Sequence, residues 1–91
     1  MNTSTAEVMI VNKRGLHARA AAKFVGLARE FQASVTVERD GDEADGRSIM
    51  DLLMLGAGPG TRLTLTAHGS DATALIEALR ALIENGFDEG E

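Results

Sequence analysis

The sequence contains no cysteine, which excludes disulfides, thiolate metal sites and thiol catalysis together. It also has no Trp or Tyr and only three Phe, leaving few rings on which nucleic-acid bases could stack. A net charge of −5 argues further against nucleic acid as a general partner. The apolar runs are far shorter than the ~20 residues that a membrane helix requires. The opening residues MNTSTAEVMIV carry no basic n-region, long apolar h-region or small-residue cleavage site, so no secretory signal is expected. The only two histidines, His17 and His68, stand far apart without metal-ligand spacing around them. No metal and no cofactor are expected. What remains is a cytoplasmic chain of 91 residues, expected to form one domain over 1–91 with a modest core and its chemistry at the surface.

Hydrophobic spacing orders the chain. Val8 and Ile10 share one face of a first strand expected over 6–11. Asn12 to Gly15 reads as a turn. From Ala18, apolar residues at Ala21, Phe24, Val25, Ala28 and Phe31 make a helical stripe. Ser34 to Glu38 alternates as a second strand, and Asp40-Gly41-Asp42 turns it into a weak third strand over 43–46. Ser48 is a good N-cap for a short helix ending at Leu55, with Gly56 free to take the left-handed position after it. Leu63, Leu65 and Ala67 alternate with Arg62, Thr64 and Thr66 as a fourth strand. Ala72, Leu75, Ile76, Leu79, Leu82 and Ile83 mark a last helix, stopped by Asn85-Gly86, and Phe87 to Glu91 reads as a short acidic tail. The order β-α-β-β-α-β-α predicts an α+β fold, an open-faced two-layer sandwich. Its four-stranded, mainly antiparallel sheet would be covered on one face by helices.

The most informative stretch is Gly15-Leu16-His17-Ala18-Arg19-Ala20. It sets a histidine at the opening of a helix, where unpaired backbone N–H groups and the positive dipole end form an anion site. Arg19 adds a planar cation suited to phosphate oxygens. An imidazole here can accept a phosphoryl group, hold it and release it, with the N–H groups of Ala18 and Arg19 meeting its oxygens. No acidic residue stands near His17 in the sequence. His68, at a strand end without an arginine or helix start, reads as a loop or cap residue. The run Gly56-Ala57-Gly58-Pro59-Gly60 lacks the Lys-Ser/Thr ending of a phosphate loop and reads as a turn. The helix after Ser48 is apolar nearly all round. Leu52, Leu53 and Leu55 are expected in the core, and Ile49 and Met50 are expected in an exposed docking patch.

With these elements in place, the chain resembles HPr, the histidine-containing phosphocarrier family of the bacterial phosphoenolpyruvate-dependent phosphotransferase system. The resemblance spans nearly the whole chain. It rests on Gly15-Leu16-His17-Ala18-Arg19 and on Gly46-Arg47-Ser48-Ile49-Met50 followed by Leu52-Leu53-Met54-Leu55-Gly56. The ending Asn85 to Glu89 and the run Leu52 to Leu55 look more like the nitrogen-regulatory branch than the sugar branch. The resemblance implies that Enzyme I, charged by phosphoenolpyruvate, phosphorylates Nδ1 of His17, and that the group passes on to an EIIA-type acceptor protein. Arg19 matches the arginine that assists transfer. Ser48 matches a serine phosphorylated in some members by a dedicated serine kinase/phosphorylase. Leu16, Lys23, Ile49 and Met50 are expected to dock partners, with the chain acting as a monomer. One departure is Ala20, where the family commonly has proline; alanine is also a good helix former, so the helix should still begin normally. Another is Asp51, where a basic or neutral residue would suit an acidic partner better. The implied function is a stoichiometric phosphoryl carrier and not an enzyme. The alternative is a regulatory binding module whose phosphorylation state controls other proteins.

Overall fold

The computed structural model describes residues 2–89; Met1, Gly90 and Glu91 lie outside the described residues. Its elements are β1 (Thr3–Met9), α1 (Ala18–Ala28), β2 (Ser34–Arg39), β3 (Asp42–Asp45), α2 (Ile49–Met54), β4 (Arg62–His68) and α3 (Ala72–Glu84), followed by a 3₁₀ turn, Gly86–Asp88. The four strands form one antiparallel sheet in the order β1-β4-β2-β3. The α+β open-faced sandwich expected from the residue pattern is the observed architecture.

Register follows the alternation of side chains. One row across the sheet aligns Ala6, Leu65, Val37 and Ala44, and a neighbouring row aligns Val8 with Leu63. Apart from half-buried Ala6, these residues are buried beneath the helices. The opposite face carries Thr5, Thr66, Thr36 and Asp45 in one row and Glu7, Thr64, Glu38 and Glu43 in the next. A one-residue slip of any strand would exchange these two sets, so burial of one face fixes the register.

The helices use the stripes their sequences provide. Ala20, Ala21, Phe24, Val25 and Ala28 of α1 are buried, as are Ala72, Leu75, Ile76, Leu79 and Ile83 of α3. Ala20 is wholly buried at the start of α1, where the small methyl packs without interrupting the helix. Ser48 caps α2 by accepting a hydrogen bond from the Asp51 N–H at 3.1 Å. At the other end the Arg39 guanidinium donates to the carbonyls of Leu55 and Gly56, satisfying acceptors that the helix leaves free.

Three expectations change. The first strand ends at Met9, and Ile10 is buried just beyond it while Val11 is exposed. His68 is the last residue of β4, and its Nδ1 hydrogen-bonds the Thr3 hydroxyl at 3.0 Å, so the pairing with β1 continues past a loop-like sequence signal. Phe87 does not lie in a solvated tail. It is completely buried, with φ +56°, and it folds the segment after α3 back onto the domain.

Candidate functional site

The turn before α1 is built by Asn12 and Gly15. The Gly15 N–H donates to the Asn12 carbonyl at 3.2 Å, and the Asn12 side-chain amide donates to the Gly15 carbonyl at 2.8 Å. Gly15 has φ +66°, and a Cβ there would stand 2.5 Å from the Ala57 carbonyl oxygen. Only glycine meets both conditions. The next residue anchors the turn, as the Leu16 N–H donates to the Ala57 carbonyl at 2.9 Å. Leu16 itself is buried, at 6% exposure, which corrects the expectation that it docks partners. Its side chain belongs to the same buried apolar cluster as Ala57, whose carbonyl holds its N–H.

His17 follows as the N-cap of α1, with extended backbone (φ −80°, ψ −179°). Its side chain makes no capping hydrogen bond. The first helical bond runs from the Ala21 N–H to the His17 carbonyl at 2.8 Å, so the N–H groups of Ala18, Arg19 and Ala20 precede any helical acceptor. The imidazole therefore stands beside an unsatisfied helix start without occupying it. Arg19 is exposed on the first turn, and among the described residues no hydrogen bond or ion pair engages its guanidinium. These features bring His17, Ala18 and Arg19 together as their spacing predicts.

Two partners of this site were not visible from residues near His17. Glu89, 72 positions along the chain, accepts a hydrogen bond at Oε2 from His17 Nε2. Its other oxygen, Oε1, accepts from the Asn12 amide at 3.0 Å. The His17 bond first, and the Asn12 bond second, hold the Glu89 carboxyl below the usual carboxylate range. Asn12 is 1% exposed, and both its N–H donors are committed, one to Gly15 and one to Glu89. Because both neighbours are acceptors, the amide orientation follows from the network itself. Phe87 supplied the available signal for the returning chain: a large apolar residue after Asn85-Gly86 has a reason to fold inward.

Lys23 also turns inward. It is half-buried, and its Nζ donates to the Phe87 carbonyl at 2.6 Å. The expected docking patch divides as its residues fall around α2. Leu52 and Leu55 are buried and Leu53 is half-buried, while Ile49 is 39% and Met50 68% exposed. Met54 is the most exposed of the group, at 81%. Ser48 is half-buried at the start of this helix. No group of His and acidic side chains among the described residues has the arrangement of a metal site. No described helix is long and apolar enough to cross a membrane.

A family described as "PTS HPr component phosphorylation site" matches residues 4–85. The phosphocarrier protein HPr of Pseudomonas putida is 52% identical over 86 residues, covering 93% of this chain and 96% of that protein. The phosphocarrier protein NPr of Shewanella violacea is 46% identical over 83 residues, covering 91% of each. Among solved structures, HPr-C-His from Thermoanaerobacter tengcongensis superimposes with a TM-score of 0.91 at 41% identity, covering 94% of this chain and 97% of that one. An HPr from Bacillus anthracis gives a TM-score of 0.86 at 38% identity, covering 91% and 99%. The chain belongs to the PTS-HPr family and is a phosphocarrier of the phosphotransferase system.

Proposed function

We propose that His17 is the residue on which this phosphocarrier holds its phosphoryl group. The observation that carries the reading is an imidazole at a helix start that does not use its side chain for capping. Phosphoryl transfer depends mainly on positioning and on stabilising charge spread over the phosphoryl oxygens. The N–H groups of Ala18 and Arg19 can receive those oxygens, and the Arg19 guanidinium adds a charge-assisted hydrogen bond. A neutral imidazole is the attacking form, because only an unprotonated ring nitrogen has a lone pair to offer phosphorus.

Enzyme I, charged by phosphoenolpyruvate, is the donor in this reading, and a histidine of an EIIA-type protein is the acceptor. The chain is consumed and regenerated stoichiometrically and catalyses nothing by itself. It acts in the cytoplasm as a single domain over 1–91 and needs no cofactor. The relative named NPr supports placing it in the nitrogen-regulatory branch. A regulatory role through partner binding is compatible with carriage, because exposed Ile49 and Met50 offer an adaptable apolar surface beside Ser48. A kinase acting on Ser48 would place charge at that surface. The chain works as a monomer in this reading, although an HPr of Thermoanaerobacter tengcongensis is known as a dimer.

Carriage is tested by transfer. The chain is phosphorylated with Enzyme I and phosphoenolpyruvate, freed of both, and mixed with a purified EIIA-type protein. Loss of the group from the chain, matched by gain on the acceptor, supports the relay; hydrolysis to phosphate without gain contradicts it. In the phosphorylation step that precedes transfer, Met50→Ser should raise the KM for the chain with Enzyme I, and its thermal midpoint should match the parent's. An unchanged KM would remove Met50 from the docking surface.

A further inference from the structure

The structure assigns Glu89 as a positioning residue that fixes the His17 imidazole with its proton on Nε2 and its lone pair on Nδ1. This inference rests on the reading of His17 as the phosphoryl acceptor. An ionised carboxylate only accepts hydrogen bonds, so the ring nitrogen facing Glu89 Oε2 must be the one that carries hydrogen. In a neutral imidazole the other nitrogen is then the nucleophile. Glu89 stays ionised because both its oxygens receive donors, Oε2 from His17 and Oε1 from Asn12.

The carboxylate is held in place from several directions. Asn12 links it to the turn that sets the His17 backbone, through bonds of 3.0 Å to Glu89 and 2.8 Å to Gly15. Buried Phe87 and its carbonyl bond to Lys23 fix the turn two residues upstream. Glu89 is 11% and His17 16% exposed at the side chain, so solvent weakens their interaction less than it would a surface pair.

The chemical consequence concerns charge on the ring. His17 Nδ1 forms a bond to phosphorus while the bond from phosphorus to the donor breaks, its electron pair leaving with the donor. The Nε2 proton stays where it is. The ring gains positive character in this step, and a carboxylate on Nε2–H opposes that charge as it develops. The two ring nitrogens point away from one another, so Glu89 lies on the far side of the ring from the incoming phosphoryl group. The arrangement follows the general pattern in which a third group orients the imidazole and selects its tautomer.

The test combines two variants and two measurements. In ¹⁵N spectra of the unphosphorylated chain, the neutral His17 ring should be almost entirely the Nε2–H tautomer, and Glu89→Ala should admit the Nδ1–H form. The initial rate of phosphorylation by Enzyme I should fall about tenfold to a hundredfold in Glu89→Ala, with KM unchanged. Glu89→Gln keeps an acceptor oxygen but loses the charge, so it should retain more of the tautomer preference than of the rate. Thermal midpoints within a few degrees of the parent confirm that both variants are folded. Phosphorylation of Glu89→Ala at the parent rate with unchanged tautomer would overturn the assignment of Glu89 alone. Absence of any label on His17 in the unsubstituted chain would overturn both readings.

Discussion

Lys23 donates to the Phe87 carbonyl at 2.6 Å, so the helix that begins at His17 also fastens the turn that brings Glu89 to it. Lys23→Met keeps most of the aliphatic stem and removes the donor, which should cost roughly 1 kcal/mol. The loss should be local. Amides of Asp88 and Glu89, which bond the carbonyls of Asn85 and Gly86 at 3.2 Å, should exchange hydrogen faster while those of β4 stay protected. Unchanged exchange at Asp88 and Glu89 would mean that Phe87 burial alone holds the turn.

Gly15 meets two constraints at once, a φ of +66° and a neighbouring carbonyl 2.5 Å from any added Cβ. Gly15→Ala should destabilise the domain by about 2 kcal/mol or more, since strain and collision add. A chain of this size should then lose about 10 °C in its thermal midpoint. It should also phosphorylate slowly even where folded, because the turn sets the His17 backbone. Scanning calorimetry and the initial rate check the two effects separately.

Ser48 accepts the Asp51 N–H at 3.1 Å as the N-cap of α2, and Ser48→Ala should cost about 1 kcal/mol. Ser48→Asp preserves an acceptor and should keep the midpoint near that of the parent. It should nevertheless weaken Enzyme I binding, because it sets a charge beside exposed Ile49 and Met50. Calorimetric titration with Enzyme I checks this; equal affinity for the parent and Ser48→Asp would contradict it.

Asp71 gives the chain an acid-sensitive joint. Its carboxylate accepts the N–H groups of Gln32 at 2.9 Å and Ala33 at 2.8 Å, while Arg47 donates to the Phe31 and Ala33 carbonyls of the same segment. The Gln32 bond, and after it the Ala33 bond and the Arg47 charge, hold its carboxyl below the usual range. The unfolded chain therefore takes up this proton first as pH falls. The stabilisation is complete above the unfolded value of about 3.9 and is lost as pH drops toward the lowered folded one. Asp71→Ala should lower the midpoint at pH 7, and its deficit should shrink in acid below that value. A deficit that stays constant across this range would contradict the account.

The residues that set the framework were legible because each depends on local pattern. Leu63, Leu65 and Ala67 alternate, Phe24 and Val25 fall on a stripe, and Ser48 precedes a short apolar helix. The placement of His17 and Arg19 at a helix start was legible for the same reason, since a helix start is a property of adjacent residues. Glu89 was not, because its meeting with His17 depends on where Phe87 turns the chain after α3. The burial of Leu16 was not legible, because nothing beside it in the sequence shows that its N–H pairs with the distant Ala57 carbonyl. His68 looked like a loop residue since the Gly69-Ser70 signal follows it directly, yet β1 carries the pairing through to Thr3.

The central claim, that His17 carries the phosphoryl group, is tested most directly by intact mass after incubation with Enzyme I and phosphoenolpyruvate. The chain has only one other histidine, His68, so two variants complete the experiment. One acid-labile phosphoryl group should appear on the parent and on His68→Ala and be absent from His17→Ala, with all three folded. A label that survives in His17→Ala, or one that disappears in His68→Ala, would contradict the account.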